Sequence, residues 1–308
     1  VGFYVISGNY SLASDVNVYT ALIVVDEPYT GIIYVSKDGD DDNVGAIDES
    51  VLTIAKAIEL ATSENNTMHI IIIDNGTYEE NSLSVSSDLM IIGNNTVIDA
   101  LGESKNILNI NGGNVWVSGI TFANVDTDWL TLTDHHAVSI ENASAVIDNC
   151  VFENNSAYFS PAIDISNAGE NNTVVISNNL FINQSARFTG VIFSANSKID
   201  LSNNTMVDCT SVLGNPGIHM SGGEILSEVN LEVFFDDVIR LGQNVTVYAT
   251  LTDDNGNSIT GGYITFTAND EEIDELPLDD YVSTVFVPEE VGFYVISGNY
   301  SLASDVNV

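Results

Sequence analysis

The sequence predicts an all-β chain: a right-handed parallel β-helix with a short N-terminal capping helix, joined to immunoglobulin-like β-sandwich strands. Three observations carry that reading. Between residues 30 and 226, short β-branched runs are separated by Asn, Gly and Ser and recur every 25 to 30 residues, the period of a stacked solenoid. From residue 227 onward the runs alternate apolar and polar with period two, as half-buried antiparallel strands do. Finally, residues 1–18, VGFYVISGNYSLASDVNV, return letter for letter as residues 291–308, a period of 290.

Five segments of the first region align: IIGNNTVIDA from Ile91, VSGITFANVD from Val117, VIDNCVFENN from Val146, VISNNLFINQ from Val175 and DLSNNTMVDC from Asp200. One apolar column reads Ile92, Val117, Ile147, Ile176 and Leu201, and a second, the expected core stack, reads Val97, Phe122, Phe152, Phe181 and Met206. Two columns of turn formers accompany them, Asn94, Gly119, Asn149, Asn178 and Asn203, and Asp99, Asn124, Asn154, Asn183 and Asp208. One coil alone cannot bury its apolar face, so coils stack in parallel at about 4.8 Å and the aromatic column becomes core. A second strand set is expected over 107–110, 137–140, 162–165, 191–193 and 218–220. A one-residue slip would turn an apolar set outward, which fixes the register.

An open solenoid needs its end strands covered. Residues 50–61, SVLTIAKAIELA, have helical spacing and follow acidic residues suited to a helix start, so they are expected to lie across the N-terminal end. Residues 69–74, HIIIID, are then a buried first strand. Just before the helix, residues 38–49 place Asp38, Asp40, Asp42 and Glu49 at positions 1, 3, 5 and 12 of a calcium-loop spacing. Asn43 stands where such loops carry Gly, and no helix precedes them. A Ca²⁺ site and a plain acidic turn are both open on this pattern.

In the last region, residues 244–251 and 263–267 alternate with period two, and Asn255-Gly256 between them is a hairpin signal, because both residues tolerate positive φ. The repeat at the ends then organises the domains. Residues 1–29 are the closing strands of a preceding sandwich, 30–226 the β-helix, and 227–308 a sandwich lacking its last strand, which a following copy of residues 19–25 would supply. Adjacent copies of the same unit are therefore the expected partners, as one covalent array in preference to separate strand-complemented chains.

Six Lys and Arg stand against 44 Asp and Glu, a net charge of −38, which repels nucleic acid and anionic membrane surfaces. No apolar stretch approaches the length that spans a bilayer, so no membrane insertion is expected of this segment. Eleven Asn-x-Ser/Thr sequons, at Asn9, Asn65, Asn75, Asn94, Asn142, Asn154, Asn171, Asn183, Asn203, Asn244 and Asn299, favour an extracellular surface carrying N-linked glycans. Cys150 aligns beside Ile120 and Cys209 with Asn155, so two free thiols are expected.

The runs IYVSKDGDDDNVG, TIAKAIELA, IIIIDNGTYEEN and LMIIGNNTVIDA resemble, in that order, the opening of the pectate-lyase-like β-helix domains of methanogen (archaeal) adhesin-like surface proteins. Residues 228–308 resemble the Ig-like repeats attached to those domains. The likeness covers nearly the whole chain, as a composite of individually weak motifs. It implies an extracellular cell-surface protein: a structural repeat unit of a filament, sheath or stalk, or alternatively an adhesin binding carbohydrate or a cell partner along the β-helix flank. A polysaccharide lyase or hydrolase is the third reading. Lyases on this fold need a base, commonly Arg or Lys, and Arg187 and Lys198 fall on different corners, so no catalytic residue is assigned and no enzyme is expected. His135-His136 beside Asp134 face opposite ways as consecutive strand residues, which disfavours a shared metal. Trp129 is a candidate sugar or subunit contact.

Overall fold

The computed structural model describes residues 2–10 and 16–24 as backbone strands, and residues 31–63, 69–127, 134–166, 168–169, 171–235, 241–269, 271–289 and 294–302 in full. It is an all-β chain, 55% strand and 4% helix, built on a parallel β-helix of about five turns.

Three columns of strands run along that helix, each pairing in parallel with the coil above and below. The first climbs from Ile32–Val35 to His69–Ile73, where Ile33 pairs with Ile71. It continues through Ile91, Val117, Ile147, Ile176 and Leu201 in strict succession. The second carries Ile98, Phe122, Phe152, Phe181 and Met206. The third stacks Leu83, Leu108, Val138, Ile163, Ile192 and Ile218, which are the strands expected near residues 107, 137, 162, 191 and 218.

The Phe column is a stack in the literal sense. Phe122, Phe152 and Phe181 are fully buried; the Phe122 and Phe152 ring centroids lie 5.3 Å apart with planes 21° apart. Such offset rings gain about 0.5–1.5 kcal/mol beyond the area they bury. Met206 is partly buried against the end of the stack.

The first coil corrects the sequence alignment by one position. Val97 pairs with Thr121 and points outward, whereas Ile98 pairs with Phe122 and is 2% exposed. Ile91, in place of Ile92, likewise joins Val117. The cause is a register shift between Ile92 and Thr96, where the earlier coil carries two extra residues against Ser118–Ile120 of the next. Its positive-φ corner is Asn95 in place of Asn94. The matching corner is Gly119 at φ +71, where a Cβ would lie 2.6 Å from the Gly93 carbonyl oxygen. Asp99 pairs with Ala123, one place short of Asn124.

Beyond that coil the corners repeat cleanly. Asn149, Asn178 and Asn203 have φ of 52°, 57° and 55°, and Asn124, Asn154, Asn183 and Asp208 form the second positive-φ set. Asn and Asp tolerate this left-handed region better than other side-chain-bearing residues. Their side chains ladder between coils: Asn203 Nδ2 donates to Asn178 Oδ1 at 2.8 Å, Asn178 Nδ2 to Asp148 Oδ1 at 2.7 Å, and Asn183 Nδ2 to Asn154 Oδ1 at 3.2 Å.

One position further on, a second ladder turns inward. Asn179 and Asn204 are buried, yet Asn179 Oδ1 accepts the Cys150 amide at 2.9 Å and its Nδ2 donates to the Ile147 carbonyl at 2.9 Å. Asn204 repeats the arrangement, accepting the Asn179 amide and donating to the Ile176 carbonyl. On the opposite corner Asn155 accepts the Val125 amide and donates to Gln184 Oε1. These buried amides satisfy turn backbone groups that have no ladder partner. Cys150 sits in the first of these columns and Cys209 near the second, and both are free thiols.

The N-terminal end is covered by the helix Ile54–Ser63, which buries Ile54, Ala57, Ile58 and Ala61 against the strands Ile32–Val35, His69–Ile73 and Leu83–Val85. The observed coil stack thus begins one strand earlier than residues 69–74, at Ile32–Val35. The C-terminal end is closed differently. Ile259–Thr260 pairs in parallel with Ile218 and His219 and becomes the last strand of the third column. Asn255-Gly256 lies in a turn closed by the Thr252↔Ser258 bridge, and the strand leaving it joins the β-helix. Gly261 at φ +86 takes the chain out again, at a point where a Cβ would meet the Met220 carbonyl oxygen at 1.8 Å.

Two antiparallel three-stranded sheets complete the chain. Val245–Thr252 lies between Asn230–Phe235 and Val282–Phe286, and Tyr263–Ala268 lies between Glu271–Pro277 and Ile296–Ser301. Val245, Val247, Ala249 and Leu251 from one sheet, and Ile264, Phe266 and Ala268 from the other, are buried in strict alternation. Near the start of the chain Gly2–Tyr10 pairs antiparallel with Val16–Val24.

Candidate functional site

The acidic loop before the helix organises that helix. Asp41, which the calcium spacing leaves out, accepts the Leu52 and Thr53 amides on Oδ1 at 2.9 Å and the Thr53 hydroxyl on Oδ2. Glu80 reaches in from the first coil, accepting the Ile54 amide on Oε1 at 2.8 Å and the Ala55 amide on Oε2 at 2.9 Å. Glu80 thereby takes up the first two orphan donors of the helix, Thr53 Oγ1 accepts a third from the Lys56 amide at 3.1 Å, and Asp41 fixes the residues just ahead of them. Asp40 Oδ1 accepts the Asp42 amide, and the loop's positive-φ residue is Gly45 in place of Asn43. Among the described residues, no three His, Cys, Asp or Glu side chains converge to hold a metal ion. Asp38, Asp40, Asp42 and Glu49 are all exposed on this loop.

The sequons face outward. Asn75, Asn94, Asn142, Asn154, Asn171, Asn183, Asn203, Asn244 and Asn299 are all exposed. The Asn9 side chain and the whole of Asn65 lie outside the described residues.

The feature with the strongest binding chemistry is one that the alignment did not pick out. At the corner after the Phe column, Ser156–Ala157, Ser185–Ala186 and Thr210–Ser211 pair in parallel as a narrow three-stranded sheet. Each pair is followed by two bulky residues: Tyr158 and Phe159, Arg187 and Phe188, Val212 and Leu213. The coil spacing stacks them. Tyr158 and Phe188 rings lie 4.8 Å apart, Tyr158 and Phe159 5.0 Å apart edge to face. The Arg187 guanidinium sits 5.4 Å from the Phe188 ring centroid and 5.7 Å from that of Tyr158. Phe159, Phe188, Val212 and Leu213 remain 43%, 36%, 59% and 62% exposed, so an apolar and cationic ledge runs along the rod on an otherwise acidic surface. The repeated Ser-Ala-aromatic signature, SAYF then SARF, is the sequence signal for it.

Asp134 anchors the ledge from below. Its carboxylate accepts the Tyr158 amide at 2.9 Å and the Phe159 amide at 3.1 Å. Burial raises the Asp134 pKa, against the opposing pull of His136 and those two amides. His136 is buried and its Nδ1 donates to the Ser160 carbonyl, while burial pushes the His135 pKa down. Asp126 pairs with Ser156 one coil earlier; Trp129 lies outside the described residues.

The basic residues are dispersed. Lys37 lies over the Tyr78 ring, Lys56 and Lys105 pair with Glu59 and Glu103, and Lys198 lies 3.9 Å from Glu224, on a different wall from Arg187. Among the described residues no helix is long and apolar enough to cross a membrane. No protein-family model matches the chain, and no curated protein matches it.

Proposed function

We propose that this chain is a structural repeat unit of an extracellular cell-surface filament, sheath or stalk, in which rigid β-helices alternate with sandwich spacers. The observation that carries the proposal is the identity of residues 1–18 with residues 291–308. A unit whose end restates its beginning is the form taken by a member of a tandem series. The continuous stack of Ile, Phe and Asn columns, closed at one end by a helix and at the other by the strand Ile259–Thr260, supplies a stiff element for such a series. N-linked glycans on the outward sequons and a charge of −38 would keep its surface hydrated. The mass of the intact native polypeptide tests the reading: several units' worth of chain is expected, and a mass near one unit overturns the covalent array.

A second reading is an adhesin, and the aromatic ledge favours it. Aromatic faces beside a guanidinium suit the C–H faces and hydroxyls of a sugar or a partner's surface. Retention on a glycan array, lost on Phe159→Ala with Phe188→Ala, would support it. The enzyme reading has no comparable support, and release of unsaturated sugars from acidic polysaccharides would restore it.

A further inference from the structure

Among the described residues, the strand Ile296–Ser301 lies at the edge of its sheet. It pairs with Tyr263–Ala268 on one side, Ile296 opposite Ala268 and Ser301 opposite Tyr263, and with no described strand on the other. Its sequence occurs a second time, as residues 6–11. There the same letters also pair antiparallel, but with a different partner: Ile6 opposite Thr20, Ser7 opposite Tyr19, Gly8 opposite Val18, Asn9 opposite Asn17 and Tyr10 opposite Val16. One strand sequence is thus seen with two neighbours, and a strand has two edges.

Resting on the tandem reading above, we infer that the next unit of the same sequence docks its Val16–Val24 strand on the open edge of Ile296–Ser301, in the register seen near the start of the chain. The sheet order becomes Glu271–Pro277, Tyr263–Ala268, Ile296–Ser301, then the incoming strand. The two sheets then hold three and four strands, the number found in a constant-type immunoglobulin sandwich. An exposed edge of this kind is a template for strand addition, and residues 306–308 already restate residues 16–18, where the incoming strand begins.

Hydrogen-bond parity sharpens the assignment. The Asn269 amide donates to the Val295 carbonyl at 2.9 Å. Since polar groups alternate sides along an antiparallel strand, those of Ser297, Asn299 and Ser301 face Tyr263–Ala268. Those of Ile296, Gly298 and Tyr300 face the open edge. In the inferred joint these three pair by hydrogen bonds with Thr20, Val18 and Val16. Ser297 and Tyr19 then form a non-hydrogen-bonded pair, the closer kind, with Cα atoms about 4.5 Å apart.

The test uses the 308-residue chain carrying Cys209→Ser and Ser297→Cys, with a synthetic peptide of residues 16–25 bearing Cys at the Tyr19 position. A mixed disulfide is expected with this peptide, at least tenfold faster than with peptides bearing Cys at the Val18 or Thr20 position. N-methylation of the peptide at Val18 and Thr20 should abolish capture, while N-methylation at Asn17 and Tyr19 should leave it. Equal capture of all three Cys positions, or none, overturns the joint whatever the mass of the native polypeptide.

Discussion

Phe152 and Phe181 lie one coil apart with their ring centroids 4.9 Å from each other and their planes only 13° apart. Both are fully buried, and neither has another coil position to retreat to. Phe152→Ala removes the middle of the column and leaves a cavity between two rings. It should cost about 3–5 kcal/mol in urea unfolding, whereas Leu213→Ala on the exposed ledge should stay within about 0.5 kcal/mol.

The inward Asn ladder makes a sharper prediction than the outward one. Asn179 serves two backbone groups at once, the Cys150 amide and the Ile147 carbonyl. Asn179→Ala leaves both buried and unsatisfied, at about 1–3 kcal/mol each. Chemical denaturation should show that loss, and amide exchange at Cys150 should accelerate before the Phe column opens.

Mild acid should stabilise the junction between the β-helix and the sheets that follow. Asp200 is buried with Oδ1 unpartnered, and burial, with Asp254 adding to it, raises its pKa from 3.8 to about 6. A carboxyl raised in the folded state binds more protons folded than unfolded between those values, so stability falls as pH rises from about 4 to about 6. Melting temperature should therefore be higher at pH 5 than at pH 7. Asp200→Asn should raise stability at pH 7, by about 1–3 kcal/mol, and flatten that slope.

Glu80→Ala removes the acceptor for the Ile54 and Ala55 amides. The loss should be about 1–2 kcal/mol, in keeping with a helix cap. Hydrogen exchange would find it confined to the helix and the first coil, because solenoid coils couple only to their neighbours.

The cysteines should separate by reactivity. Burial pushes the Cys150 thiol up to about 12 and raises that of Cys209 as well. A thiol reagent at pH 8 should label Cys209 slowly and Cys150 only on unfolding, and reductant should leave the melting temperature unchanged.

Much of this architecture was legible because a solenoid writes its core as a column. From Phe122 onward each coil offers one aromatic or Met and one Asn corner, so the register has a single solution. The coil containing Val97 and Ile98 was not legible in the same way. Asn94 and Asn95 are equally good turn formers, and only the packing of Ile98 under Phe122 chooses Asn95. The closing strand Ile259–Thr260 was hidden for another reason: two residues are too few for periodicity, and the Asn-Gly beside them signals a turn without saying which sheet follows. The carboxylates that hold the helix start were hidden as well: Asp41 sits between the acidic positions that the spacing counts, and its partner Glu80 lies far along the chain.

The two-residue strand at Ile259 and Thr260 belongs to the β-helix by its pairing and to the neighbouring sheets by the chain on either side of it. Asn255 and Asn257 both reach from the preceding turn to the Asn204 carbonyl at 2.8 Å, and Asp254 accepts the Asn203 amide. A tensile load entering through the last strand thus meets a clasp of several bonds before it reaches any coil. Several bonds thus tie this turn to the last coil at once, which makes the linkage between the two parts a splice with little freedom for a swivel.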